Sequence, residues 1–344
     1  MLESVLVIYN AVDTNAKDTS AWHESNAGVL DEVNAVTAAL ERLGIDYRRQ
    51  PVENLEHLNH ILQQSRQRII FNLVEEFSDN IFSACFVPAV CRAGGRAFTG
   101  NDTPALLLNQ NKWQAKAVLK AANLPCPDGV YIPVAKQISN PNLPAGKYIV
   151  KPLYCDASEG IDSSSIVEIP GGAFRKAVER VHRQFGQPAL VEQYIPGREL
   201  NVSVLQREGR LEVIAIAEID FSKFDDDQPR IVDYSAKWRP ESFAYNNTPR
   251  IIPAEISAQT TEIVEKSSLQ ACRLTGCSDY IRVDFRMDKD QQPYILEINP
   301  NPDISPDDGF AAALAFRGIK YEKFVEILLE NAINKEKAYS RKGD

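Results

Sequence analysis

Histidine is scarce in this sequence, paired cysteine is absent, and positive charge is in the minority. Four histidines in 344 residues include no HExxH, so zinc hydrolysis and a histidine-based triad have little support. Six cysteines (Cys85, Cys91, Cys126, Cys155, Cys272 and Cys277) are scattered without a CxxC. They are too sparse for a disulfide scaffold and fit no zinc spacing. Free, buried thiols in a reducing cytoplasm are expected instead. No apolar run reaches the 18 or more residues of a membrane span. The first ten residues, MLESVLVIYN, carry an acid at Glu3 and no basic flank. They read as a buried strand, not a signal peptide. Lys+Arg 38 against Asp+Glu 47 leaves a net charge of -9. No basic stripe appears, which argues against nucleic acid and against an anionic membrane as partners. Neither a Walker A loop nor GxGxxG is present.

The rest is ordinary for a soluble globular chain, with 44% hydrophobic and 25% charged residues, enough for two to three domains. Residues 1–100 alternate strand and helix, which predicts a small parallel α/β sheet. Ser4–Tyr9 is the first strand. Val12–Gly28 is polar and without period, and Val29–Leu43 is a helix closed by Gly44. Strands follow at Ile45–Arg49 and Arg68–Leu73. Thr103-Pro104 opens one helix running through Lys112 and Lys116 to about Ala122. A strand ends at Lys151-Pro152, followed by a small-residue loop, Cys155–Ser165. Next come a helix over Gly172–Phe185 and a strand over Ala189–Ile195. Glu199–Gln206 and Leu211–Ile219 alternate around Glu208-Gly209, a hairpin signature. Phe221–Arg250 is long and polar. A helix over Pro253–Leu274, a second hairpin and two short helices (about Asp308–Arg317 and Tyr321–Asn334) complete the chain.

The second hairpin, Tyr280–Asn299, carries the chemistry. Period-two alternation puts Ile281, Val283, Phe285 and Met287 on one face, and Arg282, Asp284 and Arg286 on the other. On the return strand Tyr294, Leu296 and Ile298 join the apolar face; Glu297 and Asn299 join the polar one. A turn at Asp290-Gln291 sets Asp284 across from Glu297 and Arg282 across from Asn299. Like charges directly opposed are destabilising, by roughly 0.2–1 kcal/mol on a solvated sheet. A divalent cation would remove that repulsion, and Asp, Glu and Asn are hard oxygen ligands suited to Mg²⁺ beside phosphates. A half-solvated Arg–Asp–Glu network fits the same residues. The loop after Lys151 offers small residues and backbone N–H groups that can wrap a phosphate chain; a flexible solvated loop has the same composition.

Eight segments stand in an order that resembles the ATP-grasp superfamily, within it the D-alanine–D-alanine ligase-like group. They are Phe98-Thr-Gly, Asn111-Lys-Trp-Gln-Ala-Lys, Ile149-Val-Lys-Pro, Ser158-Glu-Gly, Val191-Glu-Gln-Tyr-Ile-Pro-Gly-Arg-Glu-Leu, Asp233-Tyr-Ser-Ala-Lys-Trp, Arg282-Val-Asp and Leu296-Glu-Ile-Asn-Pro-Asn-Pro. The resemblance implies an N-terminal parallel α/β domain (1–101), then a two-domain α+β ATP-grasp fold. The latter divides into a central subdomain with the phosphate loop (102–195) and a C-terminal subdomain (196–344) with the metal site and a closing loop. It implies ATP on Lys112 and Lys151, with Ser158 and Gly160 in the phosphate loop. Adenine would meet Glu192 and both the N–H and C=O of Ile195, and Glu199 would take the ribose. Asp284, Glu297 and Asn299 would hold Mg²⁺, two ions, with Mn²⁺ as a substitute. Arg282 would stabilise charge on the substrate carboxylate, and Lys237 sits on the closing loop. The implied reaction joins a carboxylate and an amine through an acyl phosphate, in a cytoplasmic protein that a homodimer would suit.

Three positions depart from the family around the first substrate. Its phosphate-loop Ser falls at Ala157 and its closing-loop Tyr at Trp238. Its N-terminal Glu is not recognisable in Asn10–Ser25, where Glu24 is a stand-in. On the second-substrate side the oxyanion glycine falls at Asp303 and a hydroxyl near Asp308. An acid there would repel a carboxylate and suit an amine; Asp307 and Asp308 also suit capping of the next helix. The expected substrates are therefore a small amino acid or similar acid and an amine, not the standard D-alanine pair. True D-alanine–D-alanine ligation, activation of an enolised carbonyl and a non-catalytic ATP-binding module are the competing readings.

Overall fold

A computed structural model describes residues 4–11, 21–77, 80–134, 138, 141–156, 158–225 and 228–340. Ala157 lies outside them, as does most of the polar stretch after the first strand. Three sheets follow one another along the chain.

The first contains β1 (Val5–Asn10), β2 (Tyr47–Val52), β3 (Ile69–Leu73) and β4 (Ala97–Phe98) in the order 2-1-3-4, all parallel. Helices α1 (Ala21–Arg42), α2 (Leu55–Gln64) and α3 (Val87–Ala93) connect them. Val5 and Val7 pack on the α1 side, Leu6 and Ile8 on the α2 and α3 side. This strand is buried on both faces, as helix-covered parallel sheets require. Helix α1 starts at Ala21, eight residues before the apolar stripe that marks it in the sequence. Its first two turns carry too few apolar residues to show a period.

The single helix expected from Thr103 to Ala122 is two, α4 (Thr103–Gln110) and α5 (Lys112–Ala121). Asn111 takes an extended conformation and its side chain accepts from Gln114 N at 3.1 Å, capping the second. Asp102, not Thr103, caps the first; the Thr103 hydroxyl accepts from Ala89 N instead.

The second sheet is antiparallel, with β5 (Gly129–Ile132), β6 (Gly146–Pro152), β7 (Ile166–Ile169) and β8 (Ala189–Gln193) in the order 5-8-6-7. Helix α6 (Ala173–Phe185) covers it through Phe174, Val178 and Val181.

The third sheet begins with β9 (Arg198–Arg207) and β10 (Arg210–Ile219), joined at Glu208 and Gly209, both at positive φ, as a two-residue hairpin turn demands. Then come α7 (Tyr234–Trp238), α8 (Phe243–Asn246), β11 (Arg250–Ile251), α9 (Ala258–Leu274), β12 (Tyr280–Met287) and β13 (Pro293–Asn299). The strand order is 11-10-9-12-13. Helix α9 starts at Ala258 on a Ser257 cap, five residues later than expected, because Pro253 follows the edge strand. Helices α10 (Gly309–Phe316) and α11 (Tyr321–Ser340) end the described chain; α11 is not short.

Core membership runs across these sheets. Ala105 and Leu119 of α4 and α5 pack with Leu200, Val264 and Phe285 around the third sheet. Phe310, Phe324 and Leu328 of the last two helices pack with Val7, Val36 and Phe71 of the first. All six cysteines are free, five of them buried and Cys155 half-buried. No helix is long and apolar enough to cross a membrane among the described residues.

Candidate active site

A cavity of about 570 Å³ is lined by residues from all three sheets and from α1, α4 and α7. Strand β6 shows how the sequence aims a charge into it. Tyr148 and Val150 turn into the core under α6, so Ile149 and Lys151 face the cavity. Lys151 Nζ lies 2.8 Å from Glu192 Oε2 on neighbouring β8. The other Glu192 oxygen receives Lys116 from α5. Burial would raise the Glu192 pKa, but Lys116 and Lys151 hold it below the ordinary value. Burial, with Lys151 nearby, presses Lys116 down to about 8 against the pull of Glu192.

Lys112, the first residue of α5, donates to Cys155 O at 2.6 Å and to Asp156 Oδ1 at 2.8 Å. Its ammonium is 3.8 Å from Glu297 Oε2. Burial opposes its charge, yet Asp156 and Glu297 raise its pKa above the usual value. The phosphate loop thus lies on a lysine expected to hold phosphate.

The hairpin of β12 and β13 brings Asp284 opposite Glu297 and Arg282 opposite Asn299. Beyond Asp284 the register shifts at a bulge, and Phe285 pairs with Ile295. Strict alternation put Tyr294 and Leu296 on the apolar face. The bulge instead sends Ile295 into the core and Leu296 to the cavity wall, and sets Tyr294 opposite Arg286. Bulges re-aim side chains in this way beside active sites.

Asp284 accepts from Arg282 Nε at 2.8 Å and from Asn201 Nδ2 at 2.8 Å. Asn299 Oδ1 accepts from Asn301 N at 2.9 Å. Burial works to protonate Glu297, but Lys112, Lys151, Lys237 and Arg282 hold its pKa at about 2. Hard oxygens on one wall, one of them firmly ionised, fit a divalent cation by donor chemistry. Among the described residues no three His, Cys, Asp or Glu side chains group closely enough to hold a metal. Asn299 and ligand phosphates would have to complete the set.

Arg286 organises the link between the second and third sheets. It donates to Ile195 O at 3.0 Å, Gly197 O at 2.9 Å and Arg230 O at 2.8 Å, and pairs with Glu199 at 3.3 Å. The Ile195 carbonyl expected at adenine is therefore engaged by a buried guanidinium. Burial raises the Glu199 pKa against the opposing pull of Arg286.

Ser158 lines the cavity, but its hydroxyl donates to Val232 O at 2.7 Å. Gly160 does not line it; a Cβ there would stand 2.7 Å from the Phe185 ring at φ +72, so packing accounts for the glycine. Lys237 and Trp238 sit on α7 and line the cavity. Burial, with Arg282 nearby, lowers the Lys237 pKa. Asp303 lines it too, its Oδ1 accepting from Ser305 N at 2.7 Å. Asp308 occupies the cap position of α10 without a side-chain cap bond and pairs with Arg250 at 3.3 Å. Capping is thus not its role, and its charge is met by a guanidinium. Glu24 falls in the first turn of α1, but its side chain lies outside the described residues.

Sequence reading missed Lys116, Arg250 and the acids Glu32, Glu75, Glu76 and Asp156 as site residues. Lys116 carried a signal, standing one helical turn from Lys112. Glu75-Glu76 carried another, as adjacent acids directly after a buried strand.

A nucleotide-sized cleft between two antiparallel sheets, behind a parallel domain, defines the class as the ATP-grasp ligase fold. A solved D-alanine–D-alanine ligase from Bacillus anthracis, complexed with ATP, superimposes with a TM-score of 0.74 at 18% identity over 98% of this chain and 99% of that one. Residues 135–330 match the family model described as D-ala D-ala ligase C-terminus, and the chain belongs to that family. A D-alanine–D-alanine ligase of Nitrosomonas europaea is 26% identical over 86% of this chain and 89% of its own. The uncharacterised protein y4sG of Sinorhizobium fredii is 27% identical over 77% of this chain and 74% of its own.

Proposed function

We propose that the chain is an ATP-dependent, ADP-forming carboxylate–amine ligase that works through an acyl phosphate. The observation that carries this reading is Glu297, ionised amid Lys112, Lys151, Lys237 and Arg282 in one buried cleft. Such a constellation matches a triphosphate beside a carboxylate, and its preset charges stabilise transfer without a covalent nucleophile.

In the first step a carboxylate oxygen of the acid forms a bond to the γ-phosphorus. The bond from that phosphorus to the bridging oxygen breaks, and ADP leaves with the electron pair. Lys112 and Lys151 would orient the phosphates, Lys112 exchanging Asp156 for them. Arg282 would offset charge on the reacting carboxylate. In the second step the amine nitrogen attacks the acyl carbon, the carbon–oxygen bond to phosphate breaks, and nitrogen loses a proton. Asp284, Glu297 and Asn299 would hold Mg²⁺, which supplies neutralising charge to the phosphates. Lys237 and Trp238 close the wall that keeps water from the acyl phosphate.

The relatives' names favour D-alanine–D-alanine ligation. Trp238, Asp303 and Asp308 at the substrate end favour a different pair. Mg²⁺-dependent ADP release, measured across mixtures of acids and amines with mass spectrometry of products, tests the proposal. Glu297→Gln is expected to lower turnover by about 10²-fold or more while the fold survives. Tight ATP binding with no ADP release across a broad panel would instead mark a non-catalytic module.

A further inference from the structure

The end of the cavity away from the lysines is built with the opposite sign. Glu32 projects from the inner face of α1, Glu75 follows β3, and Asp303 follows β13; all three line the same cavity. Glu32 is only 3% exposed. Its Oε1 accepts from Ile304 N at 2.7 Å, and its carboxyl also meets that of Asp303. The charged neighbours acting most strongly on it are Glu75 and Asp303. The charges acting on Glu75 are Asp303, Glu76 and Asp156, all carboxylates. The basic groups of the cavity are occupied elsewhere: Arg282 on Asp284, Arg250 on Asp308, and Lys112 on Asp156.

Resting on the ligase reading above, we propose that the amine substrate is a dication. It carries a second ammonium group, as an alkyl diamine or a basic amino acid does, and that group rests among Glu32, Glu75 and Asp303. Buried carboxyls held together without a counter-ion are unfavourable. An entering ammonium removes the conflict and receives charge-assisted hydrogen bonds. An organic cation suits this end better than a metal ion, since these acids do not converge at metal-ligand spacing among the described residues.

A second feature, from a different element, points the same way. Gly28 lies one helical turn before Glu32 on the same face of α1. The six-membered ring of Trp238 stands 3.9 Å from where a Gly28 side chain would begin. Its indole lines the cavity, and an aromatic face beside carboxyls is the usual surrounding of an alkylammonium. The cavity is therefore bipolar. Its lysines draw the triphosphate and its acids draw the cation, so a reversed placement is repelled at both ends.

Two measurements test this, and they separate its failure from failure of the ligase reading. In the first, calorimetry in the presence of Mg²⁺ and ADP compares putrescine with butylamine, and lysine with norleucine, binding to the full-length protein. The dication is expected to bind at least about tenfold more tightly, the difference of one strong contact. Glu32→Gln and Glu75→Gln should each reduce that ratio by about tenfold. The carboxamide introduced by Glu32→Gln can still accept from Ile304 N, and the second variant sits on another element, so a fold defect in one leaves the other informative. Equal binding of dication and monoamine, or a ratio unmoved in a folded Glu75→Gln protein, overturns the inference. In the second, ADP release with the same amines and an acid pool decides the ligase reading on its own. Turnover that favours butylamine over putrescine would count against the dication as well.

Discussion

Glu297 and Glu75 line the same cavity and depart from the ordinary carboxylate range in opposite directions. Both are disfavoured as anions by burial; Glu297 is surrounded by cations and Glu75 by carboxylates. The neighbours decide the sign. Glu75 is pushed up to about 8 from an ordinary 4.5. Between those values the folded state binds the proton more tightly than the unfolded state, so this group favours folding less as pH rises. The contribution is fully present below about 4.5 and lost by about 8. Glu32 on α1 and Asp303 after β13 face the same point and are raised by burial too, so wild-type stability alone would mix three groups. The difference between Glu75→Gln and wild type isolates one. Its melting temperature should rise relative to wild type between about pH 5 and about pH 9. A difference that stays flat across that range would show that the acids are not coupled as described.

At the scale of elements, the hairpin of β12 and β13 was readable because alternation and a turn fix register together. Asp284 opposite Glu297 is a consequence of counting residues. The bulge at Leu296 was not readable, because nothing local distinguishes one extra residue in an alternating strand from continued alternation. Glu32, Glu75 and Asp303 were hidden for another reason. They come from three elements far apart in sequence, and only the packing of α1 over the first and third sheets brings them together. The break between α4 and α5 lies between these cases, since Asn111 is a good cap within an otherwise helical pattern. Asn111→Ala removes the bond from Gln114 N and should cost about 1 kcal/mol. Lys112 is the first residue behind that cap, so ATP affinity should weaken along with the melting temperature. A stability loss with unchanged ATP affinity would show that Lys112 is held by Asp156 and Glu297 rather than by its helix start.

Across the whole molecule, the cavity is roofed by contacts between two distant segments. Ser158 Oγ donates to Val232 O at 2.7 Å, and Tyr234 N donates to Ile161 O at 3.3 Å. The phosphate loop and the segment carrying α7 are thus already joined, although Lys112 still rests on Asp156. Phosphates that displace Asp156 would pull on a loop tied to α7, which holds Lys237 and Trp238. Nucleotide binding should therefore order both segments as one unit. Mg²⁺ and ATP at about a hundred times the dissociation constant should stabilise the fold by about 2.7 kcal/mol through binding alone. Hydrogen exchange should slow together over 158–165 and 228–250. Ser158→Ala removes one of the two ties, so protection of 228–250 should fall while that of the phosphate loop persists. If both segments remain equally protected in Ser158→Ala, the backbone contact at Tyr234 is sufficient. If ATP protects the phosphate loop alone in the wild-type protein, the two segments act independently, and water is excluded by some other part of the wall.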